Sequence, residues 1–188
     1  TPAGKAEGIV ATEVGQGVSV MLRSSDPFAR WEQASVIRGA GKGTVSAVAY
    51  AALGDITASQ FQSLANIQRE LGADVRLSNR QNVVFRGLQE EQLRTLFDRL
   101  EAIGMARPGA ELARDVVACP GADTCNIAVT QSRGLAKAIG ERLEEEGLAE
   151  VGGVRINISG CTNSCGQHHA SDIGLFGAER RAHGRSLP

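Results

Sequence analysis

The plainest patterning of apolar and polar positions lies in residues 44–105. The run TVSAVAYAAL (44–53) is short and almost wholly apolar, which predicts a strand buried on both faces. Thr57 with Gln60 then makes a capping box that opens a helix, and Gly72 closes it. Within that helix Phe61, Leu64, Ala65 and Leu71 form one apolar stripe. DVRLS alternates Val75 and Leu77 with polar neighbours, and NVVF follows after a short polar connection, so the two read as a hairpin. In QEEQLRTLFDRLEAIG, Leu93, Leu96, Phe97, Leu100 and Ile103 fall on one helical face and Gly104 stands at the stop. Residues 44–107 therefore predict a compact β-α-β-β-α unit of α+β class, with Pro108-Gly109 as its boundary.

A second unit is predicted over 110–188. DVVACPGADTC leads into a helix whose inward face is Ala128, Ser132, Leu135, Ala136, Ile139 and Leu143, with Glu144–Glu146 as its solvated end and Gly147 as its close. VRINIS alternates Val154, Ile156 and Ile158 with Arg155, Asn157 and Ser159, the pattern of a half-buried strand, and it delivers the chain straight into Cys161. DIGLFG reads as the next strand. Residues 1–43, rich in glycine and turn formers, read as a leader or linker in which GQG separates IVATEV from VSVML as in a hairpin. The single Trp31 reads as a packing residue.

Composition narrows the function. A length of 188 residues supports one sizeable domain or two small ones without stapling. Aromatics at 4% leave little for base stacking, and a net charge of −1 argues against general nucleic-acid binding. No apolar run approaches the ~18–20 residues of a membrane span, and the N-terminus lacks a signal-peptide layout, so no membrane partner and a cytoplasmic location are expected. The chain does not begin with Met, as a processed or excised piece would not.

The four cysteines fall as two tight pairs, Cys119/Cys125 and Cys161/Cys165, one on a loop that runs to a helix start and one on a loop after a strand. Two such loops can present four thiolates to one centre. A helix start favours nearby thiolates, while Gly121, Gly160 and Gly166 allow close backbone approach and Pro120 keeps Cys119 extended. C-x₅-C is loose for a zinc knuckle. No C-x-x-C is present for a thioredoxin-like couple, and size and compartment disfavour a disulfide framework. A Cys nucleophile paired with His168 or His169 would leave three cysteines unexplained. Two unequal pairs suit a [4Fe–4S] cluster best.

The stretches ACPGADTCNIAVTQSRGL and INISGCTNSCGQHHASDIGLFG resemble the siroheme and iron–sulfur signature of the nitrite and sulfite reductases. Upstream, LGDITASQFQSLANI and VRLSNRQNVVFRGL resemble the ferredoxin-like half-domain that precedes it, so the resemblance covers roughly residues 30–188. It implies a ferredoxin-like half-domain followed by a partial α/β siroheme/[4Fe–4S] domain, matching the second of two copies in these enzymes. Cys119, Cys125, Cys161 and Cys165 would be the cluster ligands, with Cys165 also bridging to siroheme iron. Asn163, Ser164 and Gly166 would lie against the macrocycle, and Arg80 would pair with a siroheme carboxylate unless it is simply an exposed hairpin charge. His168 and His169 would hold the ligand loop.

The implied reaction is six-electron reduction of nitrite to ammonia or sulfite to sulfide, with ferredoxin or a flavoprotein as donor and a small inorganic anion as substrate. In the family the basic residues that hold that anion come largely from the first copy, so the piece alone is expected to be inactive. The rival readings are a related [4Fe–4S] enzyme of corrinoid biosynthesis, like precorrin-3B synthase, and a non-enzymatic metal-binding module.

Overall fold

In a computed structural model of the chain, the described residues are 24–39, 43–182 and 185–187. A four-stranded antiparallel sheet comes first, built from β1 (Val36–Arg38), β2 (Val45–Ala49), β3 (Asp74–Leu77) and β4 (Val83–Leu88) in the order β1-β2-β4-β3. Helices α1 (Pro27–Ser35), α2 (Ala58–Leu71) and α3 (Leu93–Glu101) pack on it. The β2-α2-β3-β4-α3 series is the one the periodicity predicts. β2 is buried on both faces except at half-buried Ser46, and Leu93, Leu96, Phe97 and Leu100 of α3 all lie in the core.

The start of α2 follows from its cap. Thr57 Oγ1 accepts the Gln60 backbone N–H at 3.2 Å, and Gln60 Oε1 accepts the Thr57 N–H at 2.9 Å. Thr57→Ala removes half of this box, and chemical denaturation should show a loss of about 1 kcal/mol.

Several expectations need correction. Residues 24–39, read as linker, instead form α1 and β1, whose Val36–Arg38 pairs antiparallel with Val45–Ala47. Trp31 is fully buried between Phe28 and Phe97, with ring centroids 6.0 and 5.5 Å away. The first sheet thus begins upstream of residue 44, because α1 supplies an aromatic wedge that α3 alone cannot. The hairpin read in 9–22 lies outside the described residues. Phe61 and Leu77 are exposed, since Leu77 ends β3 at the open edge of the sheet and Phe61 of α2 lies over that edge, and Ile67 joins Leu64 as the buried face of α2.

The second sheet is parallel, with β6 (Ile156–Ser159) between β5 (Val117–Ala118) and β7 (Ile173–Phe176). Helix α4 (Ser132–Glu145) makes the crossover from β5 to β6. It starts at Ser132, so Ala128 lies before the helix and not on its face. Ala136 is buried, with Ile139 and Leu143 packed against the same small core, while Leu135 faces outward. β6 is buried at all four positions, not half-buried, because it has a strand on each side and α4 across one face. A short hairpin of β8 (Arg180–Ala182) and β9 (Arg185–Leu187) ends the described chain.

Polar contacts hold the sheets together. Arg30 pairs with Glu150, Arg133 with Asp55 and Arg107 with Glu144. The Tyr50 hydroxyl donates to the Arg114 carbonyl at 3.2 Å. The most buried ion pair among the described residues is between Arg80, 9% exposed, and Asp115, 3% exposed. No helix of the described residues is long and apolar enough to cross a membrane.

Candidate metal centre

Cys119 follows β5 directly, and Cys161 follows β6 after one glycine. Parallel pairing of these strands, Val117 with Asn157 and Ala118 with Ile158, therefore brings the two cysteine loops side by side. The Cys119 N–H continues the ladder to the Ile158 carbonyl at 3.1 Å. The loops then meet at their glycines. A Cβ on Gly160 would stand 2.8 Å from Gly121 Cα and 3.0 Å from the Thr130 carbonyl oxygen, so only glycine permits this approach. The Gly160 carbonyl accepts the N–H groups of Val129 at 2.8 Å and Thr130 at 3.1 Å, locking the segment after Cys125 onto the segment before Cys161.

The four thiols differ in setting. Cys119 is buried, Cys161 half-buried, and Cys125 and Cys165 exposed. The Gly160 N–H donates to Cys119 Sγ at 3.1 Å, and Ser132 Oγ lies 3.5 Å from the same sulfur. Burial acts to push the Cys119 thiol up, but hydrogen bonds from Ser132, Gly160 and Gly121 outweigh it and hold the thiol below its ordinary range. Such a sulfur is disposed to act as a thiolate ligand. Among the described residues, no three His, Cys, Asp or Glu side chains converge tightly enough to hold a metal ion. The fold thus brings the two loops into backbone contact without gathering the thiols. By donor chemistry, four thiols on two abutting loops, one already receiving N–H groups, fit an iron–sulfur cluster.

The other predicted residues divide. Asn163 is exposed and Ser164 half-buried on the 161–165 turn, while Gly166 is buried beneath it. Ser164 and Gln167 take left-handed φ values of 58° and 59°, uncommon for residues with a side chain. His168 is buried with Nδ1 2.9 Å from Ser159 Oγ and its ring against His169 and Phe176. Burial, with His169 beside it, pushes the His168 imidazole below the usual histidine range.

Arg80 is not the exposed hairpin charge that the sequence allowed. Its Nε donates to Asp115 Oδ2 and its Nη2 to the Asp115 carbonyl, both at 2.8 Å. Its neighbours join the same seam, with Asn82 Nδ2 donating to Asp115 and Gln81 Nε2 donating at 2.9 Å to the carbonyl of Ala118, the residue before Cys119. Asp115 thus supplies a carboxylate to Arg80 within the chain itself. Arg80 also lines, with Arg155 and Asn157, a polar cavity of about 210 Å³ beside the 166–170 segment.

Sequence reasoning missed Asp115, Ser132, Asn157 and Ser159. The only available signal was the polar alternation of VRINIS, which matches a solvent-facing strand edge just as well.

An antiparallel half-domain joined to a parallel unit with two abutting cysteine loops defines a protein of α+β class. Two family models match it: the nitrite/sulfite reductase ferredoxin-like half domain over residues 38–103, and the nitrite and sulphite reductase 4Fe-4S domain over residues 109–185. The chain belongs to the nitrite and sulfite reductase family.

The ferredoxin–nitrite reductase of Synechococcus elongatus is 36% identical over 136 residues, covering 72% of this chain and 26% of that protein. Sulfite reductase [ferredoxin] 2 of Mycolicibacterium paratuberculosis is 28% identical over 130 residues, covering 66% of this chain and 23% of that protein. The structure of the Mycobacterium tuberculosis NirA protein shares the fold, with a TM-score of 0.63 at 24% identity over 82% of this chain and 29% of that one. The chain spans about a quarter of the length of these curated relatives.

Proposed function

We propose that this chain is the cluster-bearing part of a siroheme-dependent nitrite or sulfite reductase. Cys119, Cys125, Cys161 and Cys165 would hold a [4Fe–4S] cluster, and Asn163, Ser164, Cys165 and Gly166 would lie against siroheme. The observation that carries the reading is the Gly121–Gly160 contact, which abuts the two cysteine loops in a region matched by a 4Fe-4S domain model. When bound, the two groups supply the electron relay and reducing haem iron for six-electron reduction of nitrite to ammonia or sulfite to sulfide.

This chain's own residues set the stage for that chemistry. The Gly160 N–H stabilises a thiolate at Cys119, and Ser132 Oγ holds that residue in place by donating to its carbonyl at 2.7 Å. The Gly160 carbonyl fixes the spacing of the loops through Val129 and Thr130. Division at Pro108–Gly109 into a half-domain and a cluster unit belongs to the same reading and agrees with the limits of the two matched models. The electron donor is a ferredoxin, as the names of the relatives suggest, and the location is cytoplasmic. Bound anion would be held by basic residues outside this chain, so the piece alone reduces neither substrate.

The test is an absorption spectrum of anaerobically purified protein, with iron and labile sulfide assayed on the same sample. Siroheme bands above a broad iron–sulfur shoulder are expected. The shoulder without siroheme would favour the corrinoid-pathway relative, and zinc without iron or sulfide would overturn the reading.

A further inference from the structure

We infer that Asn157 and Ser159 are positioning residues that close the Cys161–Cys165 loop by tying its end back to the strand that launches it. The inference rests on the reading of that loop as half of an iron–sulfur site. Both side chains lie on one face of central strand β6, 6% and 1% exposed. Burying two polar groups in a parallel sheet is unfavourable unless each finds partners. Their partners lie just past Cys165, for every side-chain polar atom but Asn157 Oδ1, which has none among the described residues. Ser159 Oγ accepts the Gly166 N–H at 3.1 Å and sits 2.9 Å from His168 Nδ1. Asn157 Nδ2 donates to the carbonyls of Gly166 at 3.0 Å and Gln167 at 3.2 Å.

The loop needs such a tie. Ser164 and Gln167 hold left-handed backbone, which is strained for residues with a side chain and persists only where the surroundings enforce it. The fit at the tie is close, since a Cβ on Gly166 would fall 2.1 Å from the Ile158 carbonyl oxygen. Apolar residues at 157 and 159 would suit a buried strand, yet would leave the Gly166 N–H and two carbonyls without these partners. The upstream end is pinned separately, by the Gly160 carbonyl on Val129 and Thr130. Cys161 and Cys165 therefore stand on a turn fixed at both ends, and the two strand side chains set the position of Cys165.

Ser159→Ala and Asn157→Ala test this, with Ser159→Thr as the variant that keeps the hydroxyl. In the metal-free chain, Gly166 amide exchange should be about tenfold faster in Ser159→Ala, as expected for one lost hydrogen bond. After anaerobic reconstitution with ferrous iron and sulfide, both alanine variants should retain the cluster roughly 10–100-fold less tightly. They should also show an altered midpoint potential and an altered EPR spectrum of the reduced cluster. Ser159→Thr should restore all three.

A wild-type chain that takes up the cluster, beside alanine variants with the same potential and EPR spectrum, would overturn the positioning role alone. A wild-type chain that takes up no iron–sulfur cluster would overturn the cluster reading and this role with it. Unchanged Gly166 exchange in Ser159→Ala would overturn the tie itself, with or without metal.

Discussion

Replacing Asp115 with alanine is expected to cost about 3–5 kcal/mol of stability, the range for breaking a buried ion pair from one side. Asp115 accepts from Arg80 Nε, Asn82 Nδ2 and the Glu111 N–H, and all three donors lose their partner together. Glu111 stands 3.5 Å from Arg80 but is itself exposed, so it offsets only part of the loss. Replacing both charges, Arg80→Met with Asp115→Leu, should cost much less than Asp115→Ala alone, because no lone charge remains buried. Denaturation followed by circular dichroism decides it. The lone substitution should lower the midpoint by on the order of 10 °C, and equal losses in the two variants would refute the ion-pair account. The seam also reaches the candidate centre, since Gln81 bonds the carbonyl before Cys119.

Trp31→Ala should cost a comparable amount, about 3–5 kcal/mol, as for other large-to-small changes in a packed core. Trp31 is fully buried, and Phe28 and Phe97 meet edge-on beside it at 5.4 Å between centroids. Among the described residues its indole N–H has no partner, so the loss comes from packing and not from a broken hydrogen bond. Trp31→Phe should recover a good part of the stability by filling most of the space. Circular dichroism is the suitable probe, because Trp31 is the only tryptophan. A loss below about 1 kcal/mol, the ordinary size for a surface site, would return residues 24–39 to the role of a linker.

These two residues show what the sequence discloses and what it hides. The series from β2 to α3 was legible because its signals are local: the Thr57 box, the α3 stripe and the hairpin alternation each lie within a few residues. That Trp31 packs could be read, but what it packs against could not, because its partner Phe97 lies on α3, far along the chain. The fate of Arg80 was hidden likewise, since nothing near NRQN announces a carboxylate at 115. At the candidate centre, the two cysteine pairs and their glycines could be read directly. Asn157 and Ser159 could not, because alternation in a strand does not say whether the polar face meets water or a folded-back loop. α4 began later than its pattern suggested, since the segment through Val129 and Thr130 is committed to the Gly160 carbonyl and is not free to coil.

The parallel pairing of β5 with β6 bears on the order in which the molecule assembles. Val117 finds Asn157 only across the whole of α4, whereas β3 finds β4 across a tight turn. Contacts between distant parts of a chain form late, because the intervening segment must first be closed. The antiparallel sheet can therefore reach its native form while the two cysteine loops are still apart. During that interval the thiols of both loops are open to solvent, oxidants and stray metal ions. Docking of β6 buries Cys119 and leaves Cys125 and Cys165 exposed, so for those two the hazard outlasts folding.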